Sequence, residues 1–151
     1  VHADGWQVSA CPVNGPAVAA RGNAAVVAWY SEAGGTPAVR LARSTDAGDR
    51  YAAPVVVDQG ATVTGQVDVA LDGDQAWVAW LREDATGQTL MLARYARDLS
   101  KPLQRIEVAR PAGRGHATGS PRLVADGGSA WLVWTDVADG VAHLQGAQLV
   151  R

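Results

Sequence analysis

The sequence predicts an all-β fold assembled from repeated four-stranded antiparallel sheets. Three observations carry this. Segments 16–30, 67–81 and 121–135 align without gaps, each a short apolar strand, a Gly/Asn/Asp turn and a longer apolar strand ending on Trp29, Trp80 or Trp134. Those tryptophans lie 51 and 54 residues apart, a period typical of repeat arrays. The second strand of each unit is apolar on both faces: in Ala76-Trp77-Val78-Ala79-Trp80 the two indoles project to opposite sides, because side chains alternate along a strand.

The elements follow in order. Each first hairpin turns at Gly-containing sites, Arg21-Gly22-Asn23, Asp72-Gly73-Asp74 and Asp126-Gly127-Gly128-Ser129, where tight turns need residues that tolerate positive φ. A third strand follows each tryptophan at a fixed distance: Ala42, Ala93 and Ala147 all lie 13 residues beyond it. Fourth strands are predicted at 53–58 and 103–108. Four antiparallel strands per unit is the pattern of a β-propeller blade, and burial on both faces suits a sheet wedged between two neighbours. A β-sandwich, in which one face of each sheet is usually polar, is the alternative fold.

The blade-like units span about 16–58, 66–109 and 120–149, and residues 5–9 read as an outer strand completing another blade. The third unit ends at Arg151 before any fourth strand. Three blades are too few to close a ring of about four to eight, and an open half-ring would expose large apolar faces. The expected partner is therefore a second copy of the chain, paired head to tail, or the missing half of a six-bladed propeller.

Bulk properties bound the function. The 151 residues are 48% hydrophobic and 19% charged, with a net charge of −2. That composition is globular and gives no electrostatic reason to expect nucleic acid or an anionic membrane. No apolar run has the length of a membrane helix. Cys11 is the one cysteine, so no internal disulfide is possible, and it is expected as a small buried or half-buried residue. The absence of an initiator Met and of a signal pattern predicts a mature product or an excised part of something longer.

Residues 44–51, Ser44-Thr45-Asp46-Ala47-Gly48-Asp49-Arg50-Tyr51, supply the most specific motif. Ser44 and Asp46 carry short acceptors for backbone N–H groups inside a turn. Gly48 permits positive φ, and Tyr51 can bury its ring beneath the turn. The stretch fits Ser-x-Asp-x-Gly-x-x-aromatic. With the period near 50 and the tryptophan-ended strands, it resembles the Asp-box repeat of sialidase-like β-propellers. The aligned stretch of the second unit, 95–102, has lost the pattern.

The resemblance implies a structural turn on the outer rim of a blade and a ligand site at the ring's central mouth. For sialidases it would imply three arginines on a substrate carboxylate, which a planar guanidinium binds bidentately, a Tyr–Glu nucleophile pair and an Asp acid/base. The tyrosines here, Tyr30, Tyr51 and Tyr95, sit in strands or the turn, and no nucleophile motif is present. Arg122, on an innermost strand, is the one arginine whose position suggests the central channel.

Asp68 and Arg122 occupy equivalent positions of adjacent units. They are candidate ligand-facing residues together with Asn14, Gln66 and His116 of the entering loops; the structural alternative is an ion pair joining two blades. His2, His116 and His143 lack metal-ligand spacing, and Asp72/Asp74 and Asp136/Asp139 read as solvated turn acids, so neither metal nor cofactor is expected. The functional expectation is a non-catalytic propeller module binding glycan or protein or acting as scaffold; the alternative is the C-terminal half of an exo-sialidase-type glycoside hydrolase, inactive alone. The Ala/Arg/Gly/Val-rich composition suggests a GC-rich bacterial source, and the resemblance a secreted or periplasmic setting.

Overall fold

The computed structural model describes residues 1–8 and 13–150. Eleven strands are found among them: β1 (Ala17–Arg21), β2 (Ala24–Ser31), β3 (Ala38–Ser44), β4 (Val55–Gln59), β5 (Val63–Asp72), β6 (Gln75–Asp84), β7 (Gly87–Tyr95), β8 (Pro102–Ala109), β9 (Gly119–Asp126), β10 (Ser129–Ala138) and β11 (Val141–Val150). They form three antiparallel sheets ordered β1-β2-β3-β4, β5-β6-β7-β8 and β9-β10-β11. The expected all-β, blade-like architecture is what the chain adopts.

The turns have their expected chemistry. Gly22, Gly73 and Gly127 open the two-residue loops of the three first hairpins with φ of 57°, 57° and 58°, where a Cβ would be strained. Register then repeats from sheet to sheet: Asp58 of β4 lies opposite Val39, and Ala109 of β8 lies opposite Leu90, its equivalent.

The middle sheet is buried on both faces. Trp80, Val78, Val69 and Leu71 join Val26, Ala28, Val39 and Leu41 of the first sheet in one core. Trp77, Ala79, Leu81 and Leu92 join Leu123, Leu132 and Trp134 of the third in another. Trp77 and Trp80 are both fully buried, on opposite faces as alternation requires. Each fully buried large apolar side chain is worth about 1.5–3 kcal/mol, so the middle sheet holds its neighbours in place.

The outer sheets each keep one face open. On the third, Val124, Trp131, Val133, Leu144 and Val150 are exposed. On the first, Val18 and Val56 are exposed and Trp29 is partly so.

Residues 5–8 differ from expectation. They form no strand, and Ser9 lies outside the described residues, as does Cys11. A strand exists only where another supplies ladder partners, and here the segment lies against the first sheet instead. Trp6 meets Tyr30 edge-on, with ring centroids 5.7 Å apart, and His2 sits 6.1 Å from Trp29. Asp4, bonded by the Ser31 hydroxyl and the Trp6 N–H, titrates below the usual carboxylate range.

The motif at 44–51 is the turn between β3 and β4. The Ser44 hydroxyl donates to Asp46 Oδ1 (2.7 Å) and its Oγ accepts from the N–H groups of Asp46 (3.2 Å) and Gly48 (2.9 Å). Asp46 Oδ1 also accepts from Arg50 N (3.0 Å), and Gly48 has φ 96°. The Ser44 hydroxyl and the Arg50 N–H hold the Asp46 carboxyl below its ordinary value. A depressed folded pKa stabilises the turn above the unfolded value and loses that contribution as pH falls through the folded one. The second unit turns differently, with Asp98 accepting from Ser100 and Leu99 buried in the first core.

One buried carboxylate pins the first two sheets. Asp58 on β4 accepts from Trp80 Nε1 (2.7 Å) and pairs with Arg82 (2.8 Å) and Arg105 (2.9 Å). Arg105 also lies 4.9 Å over the Trp80 ring and donates to the Val57 carbonyl (2.7 Å). Removing Asp58 strands the buried Trp80 Nε1–H together with two guanidinium groups that are 37% and 35% exposed. Solvent screens the latter, so the cost falls below that of a fully buried pair, at about 1–3 kcal/mol. Asp58→Ala should lower unfolding free energy by about that amount in urea titrations followed by tryptophan fluorescence; a loss under about 1 kcal/mol, typical of an exposed pair, would show that the cluster is not structural.

Candidate functional site

The innermost strands β1, β5 and β9 stand side by side and open at their N-terminal ends onto a cleft of about 560 Å³. Among its lining residues are Gln66, Asp68, His116, Ser120 and Arg122. Four of the five sequence-predicted residues therefore line one cavity. The fifth, Asn14, lies behind it and supports it.

Asn14 and Gln66 repeat one contact. Asn14 Oδ1 accepts from Gln66 N (2.9 Å) while its Nδ2 donates to the Thr64 carbonyl (2.9 Å). Gln66 Oε1 in turn accepts from Ser120 N (2.6 Å). Side chains at the start of one innermost strand thus anchor the backbone of the next. The glycines beside them are obligatory: Gly65 and Gly119 have φ of 86° and 95°. A Cβ on Gly119 would stand 2.2 Å from Leu81 Cδ1 and 2.8 Å from Gln66 Oε1.

Asp68 and Arg122 make no ion pair with one another. Asp68 Oδ2 accepts from Leu123 N (2.8 Å) and Oδ1 from Val69 N (3.0 Å). It ties β5 to β9 through backbone, so the expected side-chain joint between these blades is replaced by a side-chain-to-backbone one. Arg122, 54 residues on, sits at the equivalent position of the third sheet, exposed, with its side chain along the cleft wall.

His116 belongs to a 3-10 turn, Gly115–Ala117. The turn is moored by Gln88 Nε2 to the Gly115 carbonyl (3.1 Å), and the loop before it by Asp136 Oδ1, which accepts from Ala112 N and Gly113 N (2.9 and 3.1 Å). Asp136 is thus a loop anchor, where the sequence suggested a solvated acid. Asp72 likewise accepts from Gly128 N (2.7 Å) and is buried. Ser120 was missed, though the 54-residue offset from Gln66 marks it.

The motif residues Ser44, Asp46, Gly48 and Tyr51 lie away from this cleft. Asp46 and Tyr51 line a separate rim hollow with Arg43, Arg50, Arg97 and Leu99. No group of three or more potential metal ligands is found among the described residues.

No protein-family model and no curated protein matches this chain. Solved structures do. It is similar to a GH43 endo-arabinanase from Bacillus licheniformis (16% identity, TM-score 0.58, covering 89% of this chain and 50% of that one). It is also similar to an endo-arabinase from Bacteroides thetaiotaomicron (14%, 0.57, 89% and 55%) and to a xylan β-1,4-xylosidase from Bacillus halodurans (12%, 0.57, 89% and 27%). The likeness is one of fold: the chain has a β-propeller architecture. The chain spans about half the length of the arabinanases and about a quarter of the xylosidase.

Position decides what each cleft residue contributes. Asp68→Ala strips a partner from the half-buried Leu123 N–H and should cost about 1–3 kcal/mol of stability. Arg122→Ala should stay within about 0.5 kcal/mol of the parent. Parallel urea titrations check both, and equal losses would contradict the assigned roles.

Proposed function

We propose that this chain is half of a carbohydrate-binding propeller ring, taking a glycan at its axial cleft and performing no hydrolysis by itself. The supporting observation is the cleft, where Gln66, His116, Ser120 and Arg122 converge at the mouth of a fold shared with arabinanases and a xylosidase. Planar polar side chains on rigid strand ends suit ligands rich in hydroxyls, since a few fixed polar groups set orientation in a pocket.

Hydrolysis asks for more. Most glycosidases use two carboxyl groups flanking the scissile bond. Among the described residues lining this cleft, Asp68 is the one carboxylate, and both its oxygens already accept backbone N–H groups. In this reading the cleft positions a glycan and supplies no acid/base pair.

The turn at 44–51 favours a second reading, the C-terminal half of an exo-sialidase-type hydrolase that is inactive alone. Support for it comes from Ser44 and Asp46, whose side-chain oxygens accept backbone N–H groups inside the turn. Arg122 would then be one of several carboxylate-binding arginines.

Calorimetric titration with arabino-oligosaccharides, xylo-oligosaccharides and sialyllactose tests these readings. Binding to one class, weakened at least about tenfold (about 1.4 kcal/mol) by Arg122→Ala, is the expected result. Selectivity for sialyllactose would favour the second reading, and no binding to any of the three would overturn the proposal. Fluorogenic arabinofuranosides, xylosides and sialosides should give no turnover; measurable turnover by this chain would overturn the non-catalytic part.

A further inference from the structure

The contacts joining one sheet to the next recur at fixed offsets, so they say what the open faces of the first and third sheets would accept. Val124, Trp131 and Val133, which face outward on the third sheet, have counterparts on the middle sheet that are already covered. Val124, Trp131 and Val133 stand 54 residues after Ala70, Trp77 and Ala79, which pack against the third sheet. Val18, Val27 and Trp29 stand 51 residues before Val69, Val78 and Trp80, which pack against the first. The two open faces are thus the two halves of one kind of interface, already seen twice within the chain.

The polar joints agree. Asp72 takes the turn N–H of Gly128 across the interface between the second and third sheets. Asp126 is the counterpart of Asp72 and Asn23 that of Gly128, so a third sheet meeting a first sheet brings Asp126 to the Asn23 N–H. Asp58 takes the indole N–H of Trp80, which lies 22 residues on. Gln7 lies 22 residues before Trp29 and carries an amide oxygen able to accept from it.

β11 is an edge with no fourth strand beside it, and an unpaired edge is a template for another strand. Residues 5–8 have no strand partner among the described residues, yet the segment already lies on the first sheet through Trp6, Asp4 and His2.

We propose that a second copy of this chain docks its first sheet on the open third sheet, and that residues 5–8 of that copy add to β11 as the missing fourth strand, with Gln7 opposite Leu144. Leu144 is the β11 counterpart of Val39 and Leu90, which face Asp58 and Ala109. Repeated twice about a two-fold axis, the contact closes a ring of six sheets and leaves no open apolar face. The ring so closed rests on the half-ring reading above, but dimer mass and cross-linking are read without any glycan, so failure of the interface and failure of glycan binding are told apart.

Cross-strand neighbours sit about 4.5–5.5 Å apart at Cα, within disulfide reach. The test is the double variant Gln7→Cys/Leu144→Cys with Cys11→Ser, oxidised at micromolar concentration. Most of the chain should run on non-reducing gels at twice the 15.7 kDa monomer mass, while a Gln7→Cys/Gln148→Cys control, four residues out of register, should cross-link at least several-fold less. Light scattering of the unmodified chain should also give the dimer mass, and Asp126→Ala should shift it towards monomer at low micromolar concentration. A monomeric unmodified chain, cross-linking within one chain, or equal yield from the control would overturn the proposal.

Discussion

A sheet that is apolar on both faces needs an apolar sheet on either side, and that constraint organises this protein. The middle sheet buries Trp80 against one neighbour and Trp77 against the other, so neither neighbour can be replaced by solvent. The same two-faced pattern recurs in the flanking sheets, where it is satisfied on one side only. On the third sheet Val124, Trp131 and Leu144 lie exposed on the face without a neighbouring sheet. The cleft follows from the same constraint, because packing blades around an axis brings the ends of β1, β5 and β9 together.

Apolar packing sets the stacking, and polar joints set its register. Most of them run from a side chain of one sheet to the backbone of the next: Asn14 to Gln66 N, Gln66 to Ser120 N, Asp68 to Leu123 N and Asp72 to Gly128 N. Others run side chain to side chain: Arg43 pairs with Asp74 (3.4 Å), and Asp58 gathers an indole and two guanidinium groups. Where its counterpart is Ala109, the Trp134 indole N–H has no partner among the described residues. Acidic joints such as these can be varied blade by blade without altering the core, and Arg122 at the position of Asp68 is an example. It exchanges a structural acceptor for a donor aimed along the cleft.

Much of the fold was legible because it is encoded locally. Turn glycines, the tryptophan period and the alternation around Trp77 and Trp80 are short-range signals, and the strands follow from them. The cleft was legible in part, since its residues sit at the starts of predicted innermost strands. What was not legible depends on partners distant in sequence. Asp68 bonds a backbone N–H, which carries no side-chain signature, so an ion pair with Arg122 was a reasonable but incorrect structural alternative. The Asp58 cluster joins residues from three strands in two sheets. Residues 5–8 carry strand-like sequence, yet among the described residues no strand stands beside them.

The central claim is that the open third-sheet face and the β11 edge are an interface of the same kind as the two buried within the chain. Hydrogen exchange at increasing protein concentration tests it most directly. Amides of β5–β7 should be protected at every concentration, whereas those of β11 should move from fast to slow exchange as concentration rises through the association range. Fast exchange of β11 at all concentrations, with the chain remaining soluble, would contradict the account.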